Sequence, residues 1–364
     1  PVGSFFMNSP DENLRPDSVG AERRNSHQRQ DCWQNIKALI ASNEPEAALA
    51  ALKVLVRPED DFPSQRKACQ LLERIQKSGI GLRPLRVALL ATSTTDHLSR
   101  VLRLWLALEG FDAAIFQPPF GQLVQSVLDV KSELYAFKPD IVWFFTSWRD
   151  VEIEARPSMT LSQAVDAVGK SVERTVQIWK AVSSRMDCLI FQNNADIPPL
   201  DVFGNFEANA PWTQRSLLRR YNLSLTDTSG EGVVIFDLDH ISALFGKQHW
   251  DDSRYWHHSK HALSFDALGL VCSQFARLVG AGKGLSRKCL VLDLDNTLWG
   301  GTIGDDGIDG IALGNNGADG EAFTEFQSYL KRLNGRGVIL AVCSKNEEEI
   351  AREPFLSHSG MRLS

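Results

Sequence analysis

The sequence predicts an α/β protein: an N-terminal helical segment, a parallel-sheet domain, and a smaller α/β unit at the end. Three observations predict it. Five short apolar runs, Leu85 to Ala91, Ala113 to Phe116, Ile141 to Phe145, Leu189 to Phe191 and Val233 to Phe236, alternate with stretches of helical periodicity. Ahead of them, from Trp33 to Ile75, apolar residues recur only at helical spacing. Behind them, a further apolar run around Cys289 to Leu292 ends in two carboxylates. Strands that alternate with helices pair in parallel, and such a sheet is covered by helices on both faces.

Taken in order, residues 1 to 6 precede the first Met and are set aside as a cloning remnant. From Asn8 to Gln30 the only apolar residues are Leu14, Val19 and Ala21, too few to offset ordering entropy, so 1–30 is expected to be a flexible tail. Residues 31–80 form a helical segment. Trp33, Ile36, Leu39 and Ile40 open it, Asn43-Glu44-Pro45 interrupts it, and runs through Leu49, Leu52 and Leu55 and through Leu71, Leu72 and Ile75 follow. No second copy of any repeat is present, so it reads as a packing module rather than a helical-repeat adaptor. Gly79 to Pro84 is a linker. The sheet domain occupies 85–280, with helices expected at 97–109, 160–182, 213–222 and 262–279.

Composition narrows the function classes. Of 364 residues 43% are hydrophobic and 23% charged, which excludes a disordered, collagenous or disulfide-scaffold chain. Against 45 Asp+Glu stand 39 Lys+Arg, a net charge of −6, so neither a nucleic acid nor an anionic membrane is an expected partner. Six cysteines without a C-x-x-C pair signal neither zinc nor a disulfide framework, and a reducing cytoplasm is the expected setting. No run reaches the roughly 18 apolar residues of a membrane span.

Parallel sheets bind ligands beyond the carboxyl ends of their strands. Those positions hold Thr92-Ser93-Thr94-Thr95-Asp96, Thr146-Ser147-Trp148-Arg149-Asp150, Gln192-Asn193-Asn194 and the cluster from Asp251 to His258. A Ser after the first strand, an amide after a later one and a late Asp/His cluster resemble the chain order of SGNH esterases and acyltransferases. That resemblance implies Ser93, Asn193 and His257 as a catalytic group. The chain departs from it: Ser93 lacks a Gly-Asp-Ser block, and no Asp-x-x-His precedes the closing helix. Ser93 and Thr94 as a helix cap or oxyanion loop, and His257 or His258 as surface histidines, are the plainer alternatives.

The densest chemistry follows residue 286. Asp293 and Asp295, spaced i, i+2 at a strand end, fall on one face if the strand continues through them. Two acids so close repel unless a divalent cation or shared proton lies between them, so the pair points to Mg²⁺ with a nucleophile and a general acid/base. Phe236-Asp237-Leu-Asp239 repeats the triplet but continues as His-Ile-Ser, and is read as a loop and helix N-cap. The longer string Asp293-Leu-Asp-Asn-Thr-Leu-Trp299 resembles the nucleophile motif of the haloacid dehalogenase (HAD) superfamily, and Val338 to Asn346 resembles its second motif. Trp299-Gly-Gly-Thr-Ile-Gly-Asp-Asp-Gly307, Glu325-Phe-Gln327, Ser344-Lys-Asn346 and Ala351-Arg-Glu-Pro-Phe355 resemble the FkbH-like (HAD-IIIC) family. Upstream, Ser93-Thr-Thr, Tyr135 to Asp140 and Phe236 to Asp239 are similar to that family's N-terminal region, so the resemblance spans about 85 to 364.

The resemblance implies an SGNH-like α/β domain followed by a HAD-like Rossmannoid domain over 286–364. It implies a glyceryl transferase/phosphatase that takes glyceryl from 1,3-bisphosphoglycerate, removes phosphate, and loads the acyl group onto the phosphopantetheine of an acyl carrier protein for polyketide extender units. Asp293 is then the nucleophile, Asp295 the acid/base, Mg²⁺ is held by Asp293 and the Asp295 carbonyl, and Ser344 binds phosphate. Lys345 is either a phosphate ligand or solvated. Cys343 is either the acyl-carrying thiol or, pointing away from Ser344 on the strand, part of apolar packing. Gly300, Gly301, Gly304 and Gly307 are expected to shape a flap hairpin. Only 50 residues separate Asp293 from Ser344, which leaves no room for a large cap between the two motifs. The chain ends at Ser364, ahead of the lysine and further acids that complete a HAD site, so an incomplete, inactive HAD domain is expected. A generic phosphatase of small molecules or phosphoproteins, and a non-catalytic carrier-docking scaffold, are the competing readings.

Overall fold

A computed structural model describes residues 16–364 except Asp201 and Asn316, with side chains from Gln28 onward. Val19–Gly280 forms one compact unit and Ala281–Ser364 belongs to another. Part of the expected tail, residues 1–15, lies outside the described residues. The rest of it is helical: α1 runs Pro16–Ala41. Its sequence supplies straight-chain helix formers from Glu22, Arg23 and Arg24 onward, and propagation from an anchored end adds one hydrogen bond per residue fixed. The anchors are buried Trp33 and Ile36 and the two-pronged Arg29–Asp60 pair at 2.9 and 2.8 Å.

The larger unit continues with α2 (Pro45–Leu55), α3 (Phe62–Lys77), β1 (Arg83–Ala91), α4 (Asp96–Leu108), β2 (Phe111–Phe116), α5 (Leu123–Leu128), α6 (Glu133–Phe137) and β3 (Ile141–Phe145). After these come α7 (Leu161–Ser183), β4 (Leu189–Asn193), α8 (Gln214–Thr228), β5 (Val233–Phe236), α9 (Leu238–Phe245), α10 (Lys247–Trp250), α11 (Ser253–Ser259) and α12 (Leu268–Gly282). All five strands are parallel, in the order β2-β1-β3-β4-β5. The alternation in sequence thus becomes a doubly covered parallel sheet.

Strand parity sorts the core. Leu85, Val87, Leu89 and Ala91 of β1, with Ile141, Trp143 and Phe145 of β3, pack on one face against α2, α3, α4 and α12. Ala88, Leu90, Val142 and Phe144 face the other way, toward α5, α7 and α8. Trp143 stacks on Phe275 of α12 at 3.7 Å between ring centres. Helices α1 to α3 share the first of these cores with the sheet. The segment 31–80 is therefore not a separate layer, because its apolar stripes have no core of their own and are buried against the sheet's helices. Among the described residues no helix is long and apolar enough to cross a membrane.

In the second unit β6 (Cys289–Leu292) pairs in parallel with β7 (Ile339–Val342), accompanied by α13 (Ile303–Gly310), α14 (Ala318–Gly335) and α15 (Glu348–Ser357). Leu292, Leu294, Leu298, Trp299, Ile303, Leu313 and Leu330 make its core. Among the described residues nothing covers one face of the pair, where Val291 and Ile339 are each 61% exposed.

Candidate functional site

β6 ends at Leu292, so the two acids stand in the turn beyond it rather than in the strand. Leu294, fully buried between them, fixes the turn: its carbonyl accepts from Thr297 N at 3.1 Å and Leu298 N at 2.8 Å. Asn296 takes the left-handed conformation the bend requires, φ 54°, and its Oδ1 accepts from Gly301 N at 3.0 Å. Buried Leu294 points inward, and its neighbour Asp293 is exposed. Asp293 Oδ1 accepts from Leu294 N at 2.8 Å, and Oδ2 has no hydrogen bond among the described residues.

Asp295 is half-buried and its carboxylate is clamped. Oδ1 accepts from Trp299 Nε1 at 3.0 Å and Ile303 N at 3.1 Å, and Oδ2 accepts from Asn346 Nδ2 at 2.8 Å. Burial alone pushes its pKa up, but the bonds from Asn346, Ile303 and Trp299 together outweigh that and hold the carboxyl below its ordinary value. Trp299 and Asn346 both sit inside the motifs, yet nothing in their spacing marks them as partners of Asp295. Trp299 reaches it within the turn, four residues on, whereas the role of Asn346 depends on the parallel β6–β7 pairing that brings the two motifs together.

The segment after Trp299 is closed by Gly300, which exchanges backbone bonds of 3.0 and 2.8 Å with Ala312. Within this closure lies not the expected hairpin but helix α13, bent at Gly307 (φ 68°). Asp305 and Asp306 in its first turn favour helix over strand there, and Asp306 Oδ2 accepts from Thr302 N at 2.8 Å. Gly300 itself is required: a Cβ there meets the Phe323 ring at 2.8 Å.

Ser344 is half-buried, and its Oγ accepts from Asn346 N at 3.2 Å. Lys345 is exposed. Leu292 is level with Val342, and Cys343 N donates to Leu292 O at 2.9 Å, so the next pair in register is Asp293 and Cys343. Both are exposed. Cys343 is exposed and, as alternation demands, points away from the buried side, and among the described residues no apolar layer covers it.

The SGNH-like candidates are not assembled. Ser93 is 7% exposed and its Oγ has no hydrogen-bond partner, so neither Asn193 nor His257 is bonded to it. Asn193 accepts from Trp143 Nε1 at 2.8 Å and donates to Thr146 O at 3.0 Å, which ties it into the core. His257 is exposed on α11. Nor do Ser93 and Thr94 cap α4, whose N-cap is Thr95; Thr94 Oγ1 instead donates to Ser259 O at 2.5 Å. The second D-x-D serves structure: Asp237 caps α9 through His240 N at 3.1 Å, and Asp239 pairs with Lys247 at 2.5 Å. Among the described residues no three His, Cys, Asp or Glu side chains converge on a metal position.

Residues 86–279 match the family model for the N-terminal domain of FkbH. The crystal structure of the N-terminal part of the protein BF1531 from Bacteroides fragilis, containing a phosphatase domain and complexed with Mg, superposes with a TM-score of 0.69. It is 28% identical, over 84% of this chain and 79% of that one. A cobalamin-binding protein from Desulfitobacterium hafniense aligns over 50% of this chain and 84% of that one, at 12% identity and a TM-score of 0.25, too low to bear on the fold. No curated protein matches the sequence significantly.

Proposed function

The chain belongs to the FkbH family, and from that premise we propose that it is a glyceryl transferase and phosphatase working through Asp293. Its glyceryl donor is 1,3-bisphosphoglycerate, its acceptor the phosphopantetheine thiol of an acyl carrier protein, and its product an intermediate for polyketide extender units. The observation that supports this most is the contrast between the two aspartates: Asp293 exposed with one free oxygen, Asp295 half-buried and held by three donors.

In this reading Asp293 attacks phosphorus, its O–P bond forming as the bond to the leaving oxygen breaks, and water then cleaves the aspartyl-phosphate. Asp295 serves as acid and then base. Its donors favour the ionised form, which suits activation of water, whereas protonating the leaving oxygen requires the clamp to loosen. Ser344 and adjoining N–H groups hold phosphoryl oxygens, with exposed Lys345 within the same loop. Cys343 takes the glyceryl group: the thiolate forms the C–S bond as the acyl–phosphate bond breaks, and exchange with the pantetheine thiol regenerates it. A reducing cytoplasm suits this role, since all six cysteines are free.

The relative from B. fragilis was crystallised with Mg, and the donors here suit that ion, which is bound through one or two carboxylates together with waters and substrate phosphate. Asp293 offers an uncommitted hard oxygen, and the resemblance assigns the Asp295 carbonyl as the second ligand. Bound there, Mg²⁺ supplies charge that screens the carboxylate from the anionic phosphoryl group.

Incubation of an intact version of the protein with 1,3-bisphosphoglycerate and an acyl carrier protein, followed by intact mass of both proteins, tests the reading. Asp293→Asn should abolish release of the ester phosphate, leaving only the phosphate displaced by the thiol, and Cys343→Ala should remove the enzyme-borne glyceryl adduct while Cys289→Ala keeps it. Undiminished phosphate release by Asp293→Asn would overturn the assignment.

A further inference from the structure

Two of the strings that mark the second unit, Glu325-Phe-Gln327 and Ala351 to Phe355, are left unused by the phosphoryl chemistry. Both reach the same pair of fully buried residues, Leu298 and Trp299. Phe355 of α15 meets the Trp299 ring edge-on, with 6.0 Å between centres. Gln327 of α14 is fully buried as well, and its amide is engaged at both ends. Nε2 donates to Leu298 O at 2.8 Å, and Oε1 accepts from Arg362 N at 2.8 Å.

These bonds fix the amide in one orientation, since a carbonyl takes only a donor and a backbone N–H only an acceptor. Gln supplies both groups at the length required. Asn is shorter by a methylene, and Met fills the same space with neither group. What the amide holds is the turn that carries Asp295. Leu298 N already donates to Leu294 O at 2.8 Å, so with Gln327 on its carbonyl Leu298 is held at both backbone groups. That carbonyl lies in the rigid peptide plane that leads into Trp299, so holding it sets where the indole leaves the chain. The indole then turns back, and Trp299 Nε1 donates to Asp295 Oδ1 at 3.0 Å.

We propose that Gln327 is a positioning residue for Asp295. By fixing the Leu298–Trp299 peptide it keeps the indole N–H on the carboxylate, and through Arg362 it ties that setting to the segment after α15. Its consequence for the reaction rests on the reading of Asp295 as acid and base in the preceding subsection.

Two substitutions test it. Gln327→Met keeps the volume and removes both bonds. Gln327→Glu retains both while the introduced carboxyl is protonated, its O–H donating to Leu298 O and its C=O accepting from Arg362 N, and loses the first on ionising. Burial and the facing carbonyl place that ionisation above the ordinary carboxylate range. In the ¹H–¹⁵N spectrum of this chain, the Trp299 indole resonance is identified by its loss in Trp299→Phe. Compared with wild type at the same pH, it should be displaced in Gln327→Met. In Gln327→Glu it should match wild type in acid and move as pH rises past the ionisation. In an intact version of the protein, Gln327→Met should lower kcat for ester phosphate release by about tenfold or more at unchanged KM, and Gln327→Glu should show that loss only on the alkaline side. A merely structural amide lowers the melting temperature of Gln327→Met but leaves the indole resonance and kcat at wild-type values, and that result overturns the inference. An indole resonance in Gln327→Glu that follows wild type at every pH overturns it too, and decides alone if Gln327→Met does not fold. Ester phosphate release that survives Asp293→Asn overturns the catalytic reading instead, and leaves the indole result, read without substrate, standing.

Discussion

Replacing Asn346 by Ala removes one of the three donors that hold Asp295 and leaves the turn backbone in place. A hydrogen bond to a charged group contributes about 1.5–3 kcal/mol. Asp295 is only half-buried, so water takes over part of the bond and the loss falls to about 1 kcal/mol. The loss has a pH signature. Because the Asp295 carboxyl titrates below its ordinary value in the folded chain, its contribution is present above the unfolded-state pKa and disappears as pH falls through the folded-state one. Asn346→Ala raises the folded value, so the variant is weaker at neutral pH and the gap closes once both forms are protonated. Amide hydrogen exchange across β6 and β7, together with a ¹³C titration of the Asp295 carboxyl, reads both quantities. If the water-activating role of Asp295 holds, the acid limb of phosphate release moves to higher pH in the same variant. An unshifted Asp295 titration, or an equal loss of protection at neutral and acid pH, refutes the clamp and makes Asn346 a packing residue.

Burial pushes the Asp196 carboxyl up to about 7, against the bonds from Trp250 and Trp148 that lower it. A raised folded value makes stability fall as pH climbs from the ordinary carboxylate range through that value, by roughly 2–4 kcal/mol. Denaturation profiles should show this decline, and Asp196→Asn should lack it; matching slopes for the two proteins would remove Asp196 as the source. Gly269 of α12 packs against α3, and a Cβ there stands 2.5 Å from Pro58 O and collides with Gln65. Buried Gln65 accepts from Trp105 Nε1 at 3.2 Å and donates to Arg57 O at 2.8 Å. Gly269→Ala should therefore destabilise the larger unit by about 2–4 kcal/mol despite the better helix propensity of Ala. A urea midpoint at or above wild type would contradict the packing described here.

The strands of the larger sheet were legible because a strand covered on both faces is a continuous apolar run, and each run here is bounded by polar or glycine-containing segments. Helix α1 was not, since its first half has no apolar stripe and depends on an anchor at Trp33, Ile36 and Arg29. In the second unit the string from Asp293 to Trp299 marks a site by itself, and the control at Asp237 and Asp239 shows why the longer string is needed. The clamp on Asp295 was hidden, because Asn346 lies 51 positions away and reaches it only once β7 pairs with β6. Ser93, Asn193 and His257 follow a suggestive chain order, yet the fold engages Asn193 with Trp143 and leaves His257 on the surface.

By itself the sequence determined periodicity, and with it the helices and strands, the parallel pairing and the strand ends where chemistry collects. Those are properties of neighbouring residues along the chain. Only the tertiary structure decided which polar atoms are already engaged and which stand free. It decided that Asp293 keeps an open oxygen while Asp295 does not, that Cys343 faces outward beside Asp293, and that Ser93, Arg149 and Asp251 each hold a buried atom without a partner. A hydrogen bond is set by distance and angle between groups far apart in sequence, and a bare sheet face by the absence of a covering layer, so neither is written in local spacing.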